Sequence, residues 1–157
     1  MKIKVLLISI IFLLTENVWA QVNRQEELDR LKQKTEDRCA SPEFKLYYEK
    51  TPCLATQINF QYVSDTSKIT QAQKKDFLKV RAAIDESQKQ RNQLDRETRF
   101  GWVADVVEQF SIPPNDANNL DLYNGKITWG EYNTKRRDIA NDFMAELKKA
   151  GSKQPPY

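Results

Sequence analysis

The chain has 157 residues, with 25 basic and 22 acidic side chains, a formal net charge of +3, four glycines and no histidine. Without imidazole, Ser-His-Asp and Cys-His catalysis fall away, together with the commonest metal ligand. So few glycines leave no phosphate-cradling loop or dinucleotide fingerprint, and alternating charges of both signs argue against a basic face for nucleic acid.

At the N-terminus, Lys2 and Lys4 precede an apolar run from Val5 to Leu14, and polarity returns at Thr15-Glu16-Asn17 before Val18-Trp19-Ala20. This order predicts a signal peptide over 1–20, with Val18 and Ala20 at the −3 and −1 positions and cleavage before Gln21. The apolar run is shorter than the ~20 residues that span a bilayer, and no cysteine at the cut offers a lipid anchor. The expectation is export to a bacterial periplasm or beyond the cell, with no stable membrane insertion after cleavage. In an oxidising compartment the close pair Cys39 and Cys53 reads as one structural disulfide.

From Asn23 to about Arg38, Leu28 and Leu31 form a narrow apolar stripe in a charged background, predicting a helix with one thin buried edge. Ser41-Pro42-Glu43 has the order of a helix start, and Pro52 ends that helix near Lys50. Phe44, Tyr47 and Tyr48 share one of its faces. A Cys39–Cys53 bond then requires the chain around Thr51-Pro52 to turn back. Ile58, Phe60 and Tyr62 alternate but have no partner strand, so an irregular segment or helical turn is expected.

Thr70 and Gln73 form a capping box that opens a long helix carrying Phe77, Val80 and Ile84. Its polar stretch from Asp85 to Gln93 is expected to be exposed on all sides or to lie where a partner docks. The helix is expected to run on towards Phe110, with a kink or break at Gly101, and to end at Pro113-Pro114.

Between Leu120 and Arg137, Asn124-Gly125 suits a left-handed turn after a helix. Thr128 and Glu131 form a second capping box, and Ile127 with Tyr132 stand at the positions of a hydrophobic staple. A C-terminal hairpin over about 116–150 follows, its last helix presenting Ile139, Phe143 and Leu147. An EF-hand register would place Leu120 and Leu122 at calcium-ligand positions, where they supply no side-chain oxygen. The segment Leu122-Tyr123-Asn124-Gly125-Lys126-Ile127-Thr128, with Glu131-Tyr132 and Lys135-Arg136-Arg137 after it, resembles the SHOCT type of short C-terminal helical hairpin. That resemblance covers 120–137 and implies a role in oligomerisation or protein contacts, with no catalytic residues.

These readings predict an all-α, small single-domain helical bundle of about five helices with one intrachain disulfide, Cys39–Cys53. The helical domain spans 21–150, and 151–157 is expected as a flexible tail. No catalytic, cofactor-binding or metal-binding residue stands out. Asp105 with Glu108, and Asp116 with Asp121, read as surface and loop polar groups rather than as catalytic pairs. The expected function is that of an exported, non-enzymatic envelope protein that binds a protein partner or itself. Its candidate interaction surface is Trp129, Tyr132, Arg136 and Arg137, since aromatic residues beside arginine anchor interfaces. The alternative is a secreted effector, inhibitor or toxin-neutralising protein acting on one protein target.

Overall fold

In the computed structural model of the chain, residues 24–155 are described, and they are all-α, with no strand among them. The expected signal peptide over 1–20 lies outside the described residues. The chain divides into two units, Met1–Lys34 and Thr35–Tyr157.

In the first unit, residues 24–34 are helical. Leu31 is buried and Leu28 half-buried, giving the thin edge expected. On the solvent side Arg30 Nε donates to Glu27 Oε2 at 2.7 Å, one helical turn away.

The second unit opens with helical residues 35–40. Ser41 Oγ then accepts from the Glu43 amide and starts a 3-10 turn, Pro42–Phe44, which leads into helix α1, Lys45–Tyr48. The backbone amides of Lys50 and Thr51 both donate to Tyr47 O, so the chain curls back as the cysteine pair demands. Cys39 and Cys53 are bonded, with their Cα atoms 5.7 Å apart. Ile58, Phe60 and Tyr62 form no strand. Ile58 is buried, while Phe60 opens the single-turn helix α2, Phe60–Val63, capped by the Asn59 side chain.

Helix α3, Gln71–Arg96, begins at the expected capping box: Thr70 Oγ1 accepts from the Gln73 amide, and Gln73 Oε1 accepts from the Thr70 amide at 2.9 Å. The helix stops at Arg96, and a turn over 97–100 reverses the chain. Helix α4, Gly101–Val106, packs back against α3. Gly101 therefore starts a helix after a break and does not kink a continuous one.

A five-residue π-helical segment, Val107–Ser111, follows, and then helix α5, Ile112–Tyr123. This corrects the expectation that Pro113-Pro114 ends the helix, because both prolines lie in the first turn of α5. A proline ring clashes with the carbonyl four residues back and offers no amide. The π turn widens the backbone just ahead of the prolines, with the Ile112 amide donating to Val107 O, and helical geometry continues through them.

Gly125, at φ 67°, makes the left-handed turn. The last helix, α6, Trp129–Gly151, starts at the second capping box. The expected flexible tail begins as hydrogen-bonded turn: the amides of Ser152, Lys153 and Gln154 all donate to carbonyls of the α6 end.

The core gathers where α1, α3, α5 and α6 meet. Trp129, Tyr47, Tyr132, Phe77, Val80 and Leu122 are buried there with Ile69. Tyr47 lies edge-on to Phe77 and to Trp129, each at 5.9 Å between ring centroids, and Trp129 is edge-on to Tyr132 at 5.7 Å. The Trp129 indole donates to Gln73 Oε1 at 3.4 Å, so the α3 capping glutamine also ties α3 to α6.

Candidate ligand-binding groove

Two helix faces and an aromatic floor enclose a groove of about 790 Å³. That volume lies in the range of small-ligand and peptide-accepting clefts. One wall is a single face of α3, where Arg81, Ile84, Asp85, Gln88, Asn92 and Arg96 recur every three or four residues. The other wall runs from the π segment into α5 through Glu108, Ser111, Asn115, Asp116 and Asn119. The floor holds Tyr47, Tyr132 and Arg136.

The walls run antiparallel and are bridged at each end. At one end Arg96 donates to Glu108 Oε2 at 2.7 Å and to Asp105 Oδ1 at 3.0 Å, and these carboxylates, Glu108 foremost, hold its guanidinium above its ordinary pKa. Asn92 Nδ2 also reaches Glu108, and Gln88 Nε2 donates to Asn92 Oδ1 at 2.8 Å. At the other end Arg81 donates to Asp85 at 2.6 Å and pairs across the groove with Asp116 at 3.5 Å. The polar stretch 85–93 is thus not exposed all round, because Asn92 is only 8% exposed and faces the opposite wall.

On the floor, the Tyr47 and Tyr132 hydroxyls lie 3.0 Å apart, and the Tyr132 hydroxyl donates to Asn119 Oδ1 at 3.2 Å. Burial pushes the Tyr47 phenol well above its ordinary pKa, and neighbouring Tyr132 adds to the effect, while Arg136 and Arg81 pull the other way. The Tyr47 hydroxyl is therefore protonated across the physiological range and serves as a hydrogen-bonding group. Asn119 Nδ2 is buried with no partner. A donor left unmatched beside a cavity invites an acceptor from a ligand or a bridging water.

Arg136 Nη1 donates to Thr51 Oγ1 at 2.8 Å and to Pro52 O at 2.7 Å, and Nη2 donates to Cys53 O at 2.8 Å. All three acceptors are neutral, and no carboxylate pairs with Arg136 among the described residues. Three of its five donors are occupied and two remain.

Of the four residues expected on an interaction surface, the structure brings only Arg136 to the groove as a polar, reachable group. Trp129 and Tyr132 are 0% and 3% exposed and belong to the core, which corrects their placement on a surface. Their large apolar rings open α6 at the point where α1, α3 and α5 converge, and burying them outweighs any use at an interface. Tyr132 still borders the groove floor, with its hydroxyl bonded to Asn119 and against the Tyr47 hydroxyl. Arg137 is half-buried and pairs with its neighbour Asp138 at 3.5 Å. The acids weighed as catalytic pairs are all engaged: Asp105 and Glu108 by Arg96, Asp116 by Arg81, and Asp121 by Lys126 and Lys135. The groove itself escaped the sequence reading. Its signal was the turn-by-turn spacing of carboxamides at 88 and 92, and again at 115 and 119.

No protein-family model, curated protein or solved structure matches the chain.

Proposed function

We propose that this chain is an exported, non-enzymatic binding protein of the bacterial cell envelope or the space beyond it. On this reading it holds a protein partner in the groove between α3 and α5. The observation that carries the reading is that one groove is lined both by Asn119, whose side-chain amide is buried and unmatched, and by Arg136, which has no carboxylate partner among the described residues. Those are features of a site that completes its hydrogen bonds on binding. The disulfide and the predicted signal peptide support an oxidising destination. The likeness of the C-terminal segment to a SHOCT-type hairpin leans towards protein contacts. The absence of histidine from the sequence and the engagement of the paired acids by arginine and lysine lean away from acid-base catalysis.

Gln93 is exposed on the groove face of α3, so Gln93→Trp fills the groove without disturbing the core. Mature wild-type protein, immobilised and exposed to envelope extract, is expected to retain a saturable protein partner that the Gln93→Trp variant loses roughly tenfold. Equal retention by a variant of unchanged helicity would exclude the groove as the contact. Sedimentation over a range of concentrations separates this from self-association, which would make the retained partner a second copy of the chain.

A further inference from the structure

We infer that the groove takes an extended acidic peptide, with a carboxylate seated on Arg136 and peptide amides matched by the wall carboxamides. This rests on the reading of the groove as a protein-binding site and names the chemistry it would select.

Of the four cations lining the groove, Arg81 and Arg96 already have carboxylate partners and Lys89 is exposed to solvent, whereas Arg136 is half-buried and fixed by the Thr51 hydroxyl and two backbone carbonyls. An arginine held rigidly by neutral acceptors keeps its charge and two free donors, the fork that carboxylates fit. Half-burial sharpens the preference, because a cation there gains more from an incoming anion than it would in open water.

The walls argue for a peptide rather than a sugar. Sugars favour an exposed aromatic face to stack on, but Tyr47 and Tyr132 are 2% and 3% exposed and offer no open ring face. Between the charged residues of the lining stand carboxamides: Gln88, Asn92 and Gln93 on α3, Asn115 and Asn119 on α5. Each such group has donor and acceptor capacity beyond the internal bonds it makes, as a peptide bond has. Four helical residues rise about 6 Å. Two residues of extended chain rise about 6.6 Å. Carboxamides one turn apart therefore meet alternate peptide units of an extended segment.

The test is a pool of nine-residue peptides with both termini capped and random interior sequence, selected on the folded, disulfide-intact protein and sequenced. Enrichment of Asp or Glu at one position is expected. Replacing that acid by Gln or Asn in the best peptides should weaken binding to wild-type protein roughly tenfold or more. Because that comparison uses only the wild type, it does not depend on any variant folding. Arg136→Lys, which keeps the charge and loses the fork, should lie between wild type and Arg136→Gln. Enriched peptides that bind wild-type protein and are lost on Gln93→Trp but carry no acid would overturn the carboxylate assignment and leave the protein-binding groove standing. If no peptide maps to the groove, or if an oligosaccharide array binds there instead, both readings fall.

Discussion

Arg136 Nη2 donates to the backbone carbonyl of Cys53 at 2.8 Å, so the cation in the groove floor is held by the same residue that closes the disulfide. Reduction should therefore act on both stability and the groove. Opening a loop of this size removes roughly 3 kcal/mol in the chain-entropy model, a fall in melting temperature of about 10 °C or more for a domain of this size. Thermal melts of the wild type with and without reductant, alongside a Cys39→Ser/Cys53→Ser double variant, measure it. An unchanged melting temperature would mean that the 50–53 turn holds without its covalent tie.

Of the four glycines, Gly130 has the least room for a side chain. A Cβ built there would lie 2.4 Å from Val63 O and 2.8 Å from Asp65 O, and both are backbone atoms that cannot swing aside. The approach is functional for α6, because the Trp129 and Gly130 amides donate to Ser67 O and Asp65 O at 2.9 and 2.7 Å. These contacts satisfy free N–H groups of the first turn. Gly130→Ala should force the two segments apart and destabilise by roughly 3 kcal/mol. Urea unfolding followed by circular dichroism tests this, and a loss below about 0.5 kcal/mol would place it among ordinary surface substitutions.

The elements with local punctuation were legible in the sequence. Both capping boxes, the Gly125 turn, the Ser41 cap and the cysteine pair lie where their residues predict, because each depends on neighbours within a few positions. The π segment was not legible, since nothing in Val107–Ser111 announces it. Only the two prolines after it create the need to widen the backbone, and read alone they signal a stop. The groove was hidden for a related reason. Its floor draws on residues 47, 132 and 136, far apart in the chain, and one polar face on each wall is indistinguishable from a solvated face until the turn at 97–100 folds α4 back. Trp129 and Tyr132 show the converse, since their amphipathic rings fit a surface or a core, and only packing decides.

The capping box of α6 offers a smaller, cleaner test. Thr128 Oγ1 accepts from the Glu131 amide at 3.2 Å, and Glu131 Oε2 accepts from the Thr128 amide at 2.7 Å. The Thr128 amide and hydroxyl hold the Glu131 carboxyl below its ordinary pKa, against a small opposing effect of burial. Thr128→Ala should lower stability by about 1 kcal/mol. The deficit should narrow in acid, because protonated Glu131 no longer completes the box in wild type either. Chemical denaturation of both proteins at neutral pH and near pH 3 reads the change.

Tyr47 should make the fold sensitive to alkali. Its phenol is buried against Tyr132 and raised far above the ordinary value of 10.0, burial being the largest cause. A folded-state pKa raised above the unfolded one means that the native state retains a proton that the unfolded chain gives up. The associated stability is thus fully present below pH ~10 and is lost progressively as pH rises beyond it. Tyr47→Phe keeps the ring among Phe77 and Trp129 but deletes the hydroxyl bonded to Tyr132. At neutral pH the variant should lose about 1 kcal/mol, the typical net worth of such a bond. Above pH 10 its stability should fall less steeply than that of wild type, so the two curves converge. Urea midpoints measured from pH 7 to pH 11 trace both curves, and parallel decline would show that Tyr47 is not the group that titrates on unfolding.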